Sequence, residues 1–309
     1  MRRAFAETLC ALAAERDDIV LIYGDLGFSV LEPFREKFRG RSFNAGVAEQ
    51  NMMGMAAGMA AAGKTVLTYS IANFAVTRCL EQFRNDACHH NLPVIAVSVG
   101  AGVSYGVQGY THHGIEDIGF TRTLPHVAVV SPGDAQEARW ALRHLVARGG
   151  PACLRLGKGG EPLVHAAMPG VPFGAGIMLQ PVSRDVTILA HGAILPEAQR
   201  AARLLVESGV EAGLYSLPVV EPLDIALVAE AARASRLMVT VEEHVPEAGF
   251  GGAVAEIVAG LASPRARLLR AGIVRNGGSE AHDQSELRRR NGLDAAGLAI
   301  RIQAALAAP

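Results

Sequence analysis

Short apolar segments alternate with helical patterns along the chain, and this alternation restricts the fold more than any other feature of the sequence. In the first half, strands are predicted at residues 18–25, 63–70, 93–100, 127–132 and 151–156. Helical patterns lie between them, notably at 48–62 and 73–90, and the sequence from Asp134 to Glu137 fits a helix capping box. Strands that alternate with helices are typical of βαβ units, so we predict an α/β fold with a mostly parallel sheet.

The same pattern returns in the second half of the chain. There the strands are predicted at residues 185–192, 210–218, 236–244 and 266–273, and the helices near 196–209 and 223–234. Residues 157–180 are rich in Gly and Pro without clear periodicity, which indicates a connection between two units. We therefore predict two domains, residues 1–165 and 183–309, joined by a linker at 166–182. Each domain is expected to hold a mostly parallel sheet flanked by helices.

The charge balance and the cysteines argue against several classes of protein. With 29 basic and 30 acidic residues the net charge is −1, so neither nucleic acid nor an anionic membrane is an expected partner. No segment approaches the roughly 18 uninterrupted apolar residues that span a bilayer. Glu7 marks the N-terminal segment as an amphipathic helix rather than an export signal. The four cysteines have no metal-like spacing, so we expect reduced core thiols in a cytoplasmic protein.

Unusual polar side chains follow three of the predicted strands. The first segment is FNAGVAEQN with Glu49, the second is YSIANFAVTR with Phe74, and the third is the glycine-rich loop at 100–117 with His112 and His113. Ligands of open parallel sheets bind at the carboxyl ends of the strands, where these segments lie. By itself, Glu49 fits three roles: a carboxylate favoured by the helix dipole, a salt-bridge partner, or an acid held ready for chemistry.

Three other motifs have simpler interpretations. GMAAG lies inside the predicted helix at 48–62 and lacks the Lys-Ser/Thr of a phosphate loop, so we predict close helix packing at Gly54 and Gly58. Adjacent histidines point in different directions, so no metal site is predicted at the pairs His89-His90 and His112-His113. VEEHVPEAGFGG lacks the spacing of a zinc site and is interpreted as an ordinary loop with packing glycines.

Taken together, the three polar segments resemble the pyrimidine-binding domain of the transketolase family of thiamine diphosphate enzymes. The matching stretches, in order, are FNAGVAEQNMMGMAAGMAAAGK, a strand followed by Asn73-Phe74, GVQGYTHHGIEDIGFTRTLPHVAVVSPGD, and PACLRLGKGG. The second half resembles the family's C-terminal domain through HGAILPEAQRAARLLVESGVEAGLYSLPVVEPLD and VTVEEH. The resemblance covers nearly the whole chain.

The resemblance implies a cofactor site around Glu49. In this family the matching glutamate hydrogen-bonds N1′ of the aminopyrimidine and stabilises the imino tautomer, which takes the proton from the thiazolium C2. Phe74 matches a position that stacks on the pyrimidine ring, and Asn73 beside it is expected to contact the cofactor too. Ile71 and Thr77 stand where related transketolases carry aromatic residues. We also expect Val47 and Ala48 to shield the Glu49 carboxylate from water.

The resemblance also implies substrate contacts. His112 matches a histidine that faces the donor's hydroxyl and carbonyl oxygens, where it donates a hydrogen bond or moves a proton, and His113 is expected behind it. Gln108 stands in place of an aspartate that reads a sugar hydroxyl. Lys158 stands in place of an arginine that holds a substrate phosphate, and Gly100 in place of a phosphate-binding histidine. These departures leave the donor and acceptor sugars open.

The family's diphosphate-binding domain has no counterpart in the sequence. That domain carries GDG and a following Asn, which hold Mg²⁺ and the diphosphate, whereas GDLG at 24–27 lies at the end of the first predicted strand and has no suitably placed Asn partner. The resemblance therefore implies the C-terminal subunit of a split enzyme. Its expected partners are an N-terminal subunit that holds most of the Mg²⁺ site, and a second copy of this chain, in an α₂β₂ assembly.

The implied activity is transfer of a two-carbon ketol unit between sugars, with thiamine diphosphate as cofactor. Two alternatives within enzymes are the beta subunit of a 2-oxo-acid dehydrogenase decarboxylase and a deoxyxylulose-phosphate synthase-like enzyme. An alternative from another class is a scaffolding or regulatory subunit. Retention of Glu49, Phe74 and His112 together argues against that class, because a scaffold needs none of the three.

Overall fold

The structure is a computed structural model that describes residues 1–263, 265–275 and 281–308. Its strands are β1 (Ile19–Tyr23), β2 (Ser42–Asn44), β3 (Thr65–Ile71), β4 (Val94–Val99), β5 (Ala128–Val130), β6 (Ala152–Leu156), β7 (Ile177–Gln180), β8 (Val186–Ala190), β9 (Ala212–Ser216), β10 (Val219–Glu221), β11 (Leu237–Val241) and β12 (Arg267–Ala271). Every strand predicted from the sequence is present, with ends that differ by a few residues.

The helices lie between these strands. They are α1 (Arg2–Glu15), α2 (Glu32–Lys37), α3 (Glu49–Ala61), α4 (Leu80–Gln82), α5 (Asp117–Thr121), α6 (Ala135–Arg148), α7 (Leu195–Glu207), α8 (Ile225–Ala234), α9 (Phe250–Ala259), α10 (Gln284–Arg290) and α11 (Ala295–Ala307). Asp134 caps α6 as predicted, since its side chain accepts hydrogen bonds from the backbone N–H groups of Gln136 and Glu137. Across the described residues, no helix combines the length and apolar character needed to cross a membrane.

Two mostly parallel sheets flanked by helices form the molecule, as the sequence predicts. The first sheet, as far as the structure describes it, has seven strands in the order β10-β5-β6-β4-β3-β1-β2, and its β10–β5 pair is antiparallel. The second has five strands in the order β12-β11-β8-β9-β7, and its β7–β9 pair is antiparallel. Because the other pairs are parallel, the carboxyl ends of the central strands meet at one edge of each sheet.

Helices cover both faces of the first sheet, which explains why β1, one of its inner strands, is apolar along its whole length. In β1, Val20 and Ile22 pack in the cluster that contains α3 residues. Ile19 and Leu21 point to the other face, in the cluster that contains residues of α1 and α6. Alternate residues of a strand face opposite sides, so burial on both sides favours apolar residues at successive positions of the strand.

Two short strands, β7 and β10, are absent from the sequence-based prediction, whereas β2 ends in the FNAGVAEQN segment, where a strand end is expected. β7 lies inside residues 166–182, where we predict a linker, and forms the edge of the second sheet. β10 lies in the second half of the chain and yet pairs with β5 of the first sheet. Segments of three or four residues carry too little periodicity to predict, and their pairing is decided by contacts with distant strands.

Two helix predictions need correction. Residues 73–90 form π-helical turns at Asn73–Thr77 and Phe83–Cys88 around the short α4, instead of one α-helix. Such turns add a residue to the helix without a local sequence signal. The predicted packing at Gly54 and Gly58 is wrong within the described chain, because no other segment lies within 4 Å of a Cβ placed at either glycine. That face of α3 points away from the sheet.

The cysteines are free thiols, and most lie in the core. Cys79, Cys88 and Cys153 are buried, whereas Cys10 is half-buried. Burial raises the pKa of the Cys79 and Cys88 thiols to about 12. A buried thiol with a raised pKa forms little thiolate and reacts slowly, so these cysteines serve as small apolar core residues.

Candidate active site

The candidate site lies at the carboxyl edge of the first sheet. β1 ends at Tyr23 and is followed by Gly24, while the neighbouring β3 ends at Ile71. Helix α3 begins beside them with Glu49 as its first residue. The edge of an open parallel sheet is where loops from adjacent strands form a crevice, so the topology brings together the three segments that the sequence separates.

Glu49 is buried and held from two sides. Its side chain is 1% exposed, and its Oε1 accepts a hydrogen bond of 2.9 Å from Ser70 Oγ. Its Oε2 accepts one of 2.6 Å from Arg78 Nη1. A Cβ placed at Gly24 would lie 3.2 Å from Oε1, a tight contact, so the glycine gives the carboxylate room to approach the strand end.

The shielding of Glu49 differs from the prediction. Val47 is 74% exposed and points into solvent, so it does not exclude water from the carboxylate. Glu49 starts a helix that runs back over the sheet, and its side chain therefore packs against the ends of β1 and β3. Gly24, Ser70 and Arg78 provide the cover that we expected from Val47 and Ala48.

Phe74 lies directly after β3, on the first π-helical turn. Its ring centroid is 5.4 Å from that of His112, with the two rings at 73°, and the Arg78 guanidinium lies 4.2 Å from the same centroid. Asn73 Nδ2 donates a hydrogen bond of 3.2 Å to the backbone oxygen of Thr111. The structure thus brings Asn73, Phe74 and His112 together, although they come from separate segments of the chain.

A cavity of about 480 Å³ opens beside the Phe74 ring. Its lining residues are Asn73, Phe74, Thr77, Arg78, Tyr110, Thr111, Glu116 and Phe120. Tyr110 Oη donates a hydrogen bond of 3.0 Å to Glu116 Oε1, and burial raises the pKa of Glu116. Ile71 ends β3 at the back of this region and is half-buried. Tyr110 and Phe120 supply aromatic walls that the sequence analysis did not identify as site residues.

The polar residues of the glycine-rich loop differ in how deeply they are buried. His112 is half-buried, and its Nδ1 is 3.0 Å from Thr111 Oγ1. Gln108 ends a short 3₁₀ turn and is exposed. His113 is fully buried beneath the loop, with Nε2 3.3 Å from the backbone oxygen of Gly106. His113 therefore supports the loop from below, whereas His112 faces the Phe74 ring.

Lys158 lies in a different cavity from Phe74. That second cavity, of about 540 Å³, is lined by Arg2, Ser104, Gly106, Val107, Lys158, Gly159, Gly160, Asp283 and Gln284. Lys158 Nζ is 5.3 Å from the centroid of the Tyr105 ring, and the Tyr105 ring packs on Gly100. The two cavities share no lining residue, so the structure does not bring Lys158 to the Phe74 cavity.

A buried ion pair holds the end of the glycine-rich loop. Arg155 of β6 binds Asp117 through Nε at 2.7 Å and Nη2 at 3.0 Å, and Nη2 also donates to the backbone oxygen of Gly114 at 2.8 Å. Both side chains are at most 2% exposed. Arg155 was not among the predicted site residues, although a charged residue inside an otherwise apolar strand could have indicated it.

The second half of the chain contacts the same loop. His244 Nε2 accepts a hydrogen bond of 3.2 Å from the backbone N–H of Ile118, and its Nδ1 donates one of 2.7 Å to the oxygen of Val245. Burial lowers the pKa of His244 to about 4, so the ring is neutral. The backbone N–H of Val245 bonds Ile115. The second sheet therefore contributes to the position of the loop.

The stretch VEEHVPEAGFGG is more than the ordinary loop that we predicted. Glu242 is fully buried and accepts hydrogen bonds from the N–H groups of Phe250 and Gly251 at the start of α9, at 2.8 and 2.7 Å. Burial raises the pKa of Glu242 to about 8. A Cβ at Gly249 or Gly251 would overlap the Glu242 carboxylate, so both are packing glycines, as expected. The buried carboxyl group was missed because local spacing does not show burial.

Metal-binding side chains do not cluster in the part of the chain that the structure describes: no three or more His, Cys, Asp and Glu side chains converge there in a way that could hold a metal ion. The adjacent rings of His89 and His90 lie 4.9 Å apart, centroid to centroid, and contact each other.

Most of this chain is similar to known protein families and proteins. The family model described as "Transketolase, pyrimidine binding domain" matches residues 1–161, and that described as "Transketolase, C-terminal domain" matches residues 174–298. A protein of Methanocaldococcus jannaschii named "Putative transketolase C-terminal section" is 35% identical, over 98% of this chain and 95% of its own length. The enzyme 1-deoxy-D-xylulose-5-phosphate synthase 1 of Geobacter sulfurreducens is 36% identical over 98% of this chain, which spans only 48% of that enzyme.

A solved structure has the same fold over nearly its whole length. It is described as "Split gene transketolase, inactive beta4 tetramer", and it superposes with a TM-score of 0.88 at 32% identity. The match covers 99% of this chain and 97% of that one. Identity above 30% over almost the full length of both chains makes this a relationship of sequence as well as of fold.

Proposed function

The chain belongs to the transketolase family, and from that premise we propose that it is the C-terminal subunit of a split, thiamine diphosphate-dependent transketolase. The proposed reaction is transfer of a two-carbon ketol unit between sugars. The observation that carries the proposal is the buried Glu49 carboxylate beside the Phe74 ring. A carboxylate and an aromatic face at one sheet edge are what an aminopyrimidine needs for a hydrogen bond and for stacking.

The residues at this edge fit the pyrimidine end of the cofactor. Gly24 leaves room for the carboxylate, since a Cβ there would lie 3.2 Å from Glu49 Oε1. Phe74 borders a cavity of about 480 Å³. When bound, thiamine diphosphate supplies the making and breaking of carbon–carbon bonds. Glu49 would hold a proton at the pyrimidine nitrogen, with Ser70 fixing its orientation. Asn73, Thr77 and Ile71 would border the ring together with Phe74.

The proposed substrate contacts come from the glycine-rich loop. His112 would donate a hydrogen bond to the donor's oxygens or move a proton there, since it is half-buried and faces Phe74. Gln108 is exposed on the same loop and would contact a sugar hydroxyl. His113 would act beneath the loop by keeping it in place. Lys158 would bind an anionic group of a substrate long enough to reach the second cavity.

The proposed assembly pairs this chain with an N-terminal subunit that binds the diphosphate and Mg²⁺. It is supported by relatives named as a C-terminal section and as a split gene product, which this chain matches over 95% and 97% of their lengths. The tetrameric relative also supports self-association, and we propose a homodimer core in an α₂β₂ enzyme. We further propose domains at 1–165 and 183–309 with a linker at 166–182, of which the segment β7 joins the sheet of the second domain. Free thiols support action in the cytoplasm.

A deoxyxylulose-phosphate synthase-like activity is the second candidate. It is supported by the 36% identity to one such enzyme over 98% of this chain. That reaction would use a 2-oxo acid as donor and release its carboxylate as carbon dioxide. In ketol transfer no carbon is lost as carbon dioxide, because two carbons of the donor pass to the acceptor and the others remain in a shortened aldose. Carbon dioxide release therefore separates the two candidates.

The experiment is to purify this chain with its N-terminal subunit and to supply thiamine diphosphate and Mg²⁺. Ketose donors are offered with aldose acceptors in one panel, and pyruvate with the same acceptors in a second. We expect a new ketose without carbon dioxide release. Carbon dioxide from pyruvate would favour the second candidate, and no product in either panel would favour a scaffolding subunit.

The same preparation tests the proposed division of the cofactor site. We expect weak or no binding of thiamine diphosphate by this chain alone, because contact with the pyrimidine end offsets little of the entropy cost of association. Adding the N-terminal subunit should produce tight, Mg²⁺-dependent binding in calorimetry. Tight binding by the chain alone would show that the site is not shared between subunits.

A further inference from the structure

Arg78 makes two contacts inside the candidate site that the sequence analysis did not assign to it. Its Nη1 donates a hydrogen bond of 2.6 Å to Glu49 Oε2. The same guanidinium lies 4.2 Å from the centroid of the Phe74 ring, within the range of a cation–π contact. Arg78 follows the π-helical turn at Asn73–Thr77, which places its side chain between the two groups.

These two partners are the ones proposed for the aminopyrimidine ring. A guanidinium is planar and carries N–H donors in its plane, so one face stacks on an aromatic ring while an edge binds a carboxylate. A pyrimidine ring makes the same kinds of contact, one through its face and one through its edge. Arg78 therefore satisfies both binding groups of the site with a side chain of this chain.

We propose that Arg78 occupies the place of the pyrimidine in the subunit without cofactor, and that its guanidinium must leave Glu49 and Phe74 before the cofactor binds. This inference rests on the proposed function and adds a regulatory residue to the same site. Arg78 would act as an internal plug. Its guanidinium serves as the counter-ion of the buried Glu49 carboxylate until the cofactor binds.

The surroundings of Arg78 allow this movement. Its side chain is 40% exposed, whereas Glu49 is 1% exposed, so the arginine rotates outward without disturbing the core. Arg78 also lines the cavity of about 480 Å³, and its outward rotation leaves that space beside Phe74 free. Ser70 Oγ stays bonded to Oε1 throughout and keeps the carboxylate in position. The plug can therefore open while the site retains its shape.

The plug has a measurable consequence for cofactor affinity. A ligand that binds only the open form has an apparent dissociation constant equal to its intrinsic value divided by the open fraction. Removing Arg78 is therefore expected to lower the apparent dissociation constant of the cofactor by about tenfold. This factor corresponds to the loss of one partly exposed ion pair and one cation–π contact that stabilise the closed form.

The experiment is a calorimetric titration of thiamine diphosphate with Mg²⁺ into the assembled enzyme. Arg78→Met removes the charge and the donors but keeps an apolar chain against Phe74. The matched control is Arg84→Met, which removes an exposed arginine from the same helical segment, where its guanidinium contacts Asn85. We expect about tenfold tighter binding for Arg78→Met and no change for Arg84→Met.

A second measurement tests the closed state in the chain alone. The side-chain nitrogen signals of arginine are followed by NMR, and Glu49→Gln is expected to shift the Arg78 guanidinium signal but not that of Arg84. An unshifted Arg78 signal overturns the proposal, as does equal or weaker cofactor binding by Arg78→Met. If wild-type and Arg78→Met assemblies bind the cofactor equally, only the plug is refuted. If the wild-type assembly does not bind thiamine diphosphate, the proposed function fails too.

Discussion

Replacing Asp117 by Asn would test how the loop that carries His112 is held. Asp117 is bound by Arg155 at 2.7 and 3.0 Å, with neither side chain more than 2% exposed. The amide keeps the volume of the carboxylate but leaves Arg155 as a buried cation, whose other partners are the Ser131 hydroxyl and the Gly114 carbonyl. Breaking a buried ion pair from one side costs about 3–5 kcal/mol, so we expect the free energy of unfolding to fall by about that much.

The measurement is urea unfolding of the chain at one protein concentration, followed by circular dichroism and by the fluorescence of Trp140. The control is Glu7→Gln, which breaks an ion pair with Arg139 whose side chains are 51% and 34% exposed. Exposed pairs contribute about 0.2–1 kcal/mol, so the control should unfold close to the wild type. Asp117→Leu combined with Arg155→Met removes both charges and is expected to recover most of the stability.

One result would refute this reasoning. If Asp117→Asn loses no more stability than Glu7→Gln, the buried ion pair does not hold the loop and Arg155 is satisfied by its remaining partners. If Asp117→Asn and the double replacement lose stability equally, the loss comes from packing rather than from an unpaired buried charge.

Three further predictions follow from the site and the core. Glu49→Gln in the assembled enzyme should lower ketol transfer by about 10²–10⁴-fold with an unchanged circular dichroism spectrum, because the amide cannot hold the proton; a rate near that of the wild type would contradict the assignment. Burial raises the pKa of Glu242 from 4.5 to about 8, so the folded chain keeps a proton that the unfolded chain releases, and stability should fall as the pH rises from 4.5 to 8. Burial lowers the pKa of His244 from 6.5 to about 4, which opposes this fall in stability below pH 6.5. Urea unfolding between pH 6.5 and 8 should therefore show the free energy of unfolding falling with pH in the wild type, and falling less steeply in Glu242→Gln. A disulfide reagent should modify the native chain at Cys10 alone, since the other three cysteines are buried; rapid reaction of a second thiol would show that the core opens.

Much of the fold was predictable because the central strands are buried on both faces. Such strands appear as near-continuous apolar runs, and runs such as IVLIY in β1 have the length of a strand. The short edge strands were not predictable in this way. β10 pairs with β5 across a long stretch of chain, and nothing within its three residues indicates that partner.

Part of the site was also predictable, since Glu49 and Phe74 directly follow recognisable elements. The contacts that orient them were not. Arg78 was visible as a polar residue after a strand, but its reach to Glu49 depends on a π-helical turn that leaves no pattern in the sequence. Val47 appeared to be a shield because it is apolar, and the structure exposes it.

The sequence by itself determined the family, the alternation of strands and helices, and the presence of a carboxylate and an aromatic ring at strand ends. These properties depend on the order and type of neighbouring residues, so they survive without coordinates. Only the tertiary structure decided that Arg78 covers Glu49, that Lys158 lies in another cavity, and that Arg155 and His244 hold one loop from two sheets. Each of those contacts joins residues from separate elements, and their energies depend on burial and distance, which chain folding sets and local sequence does not.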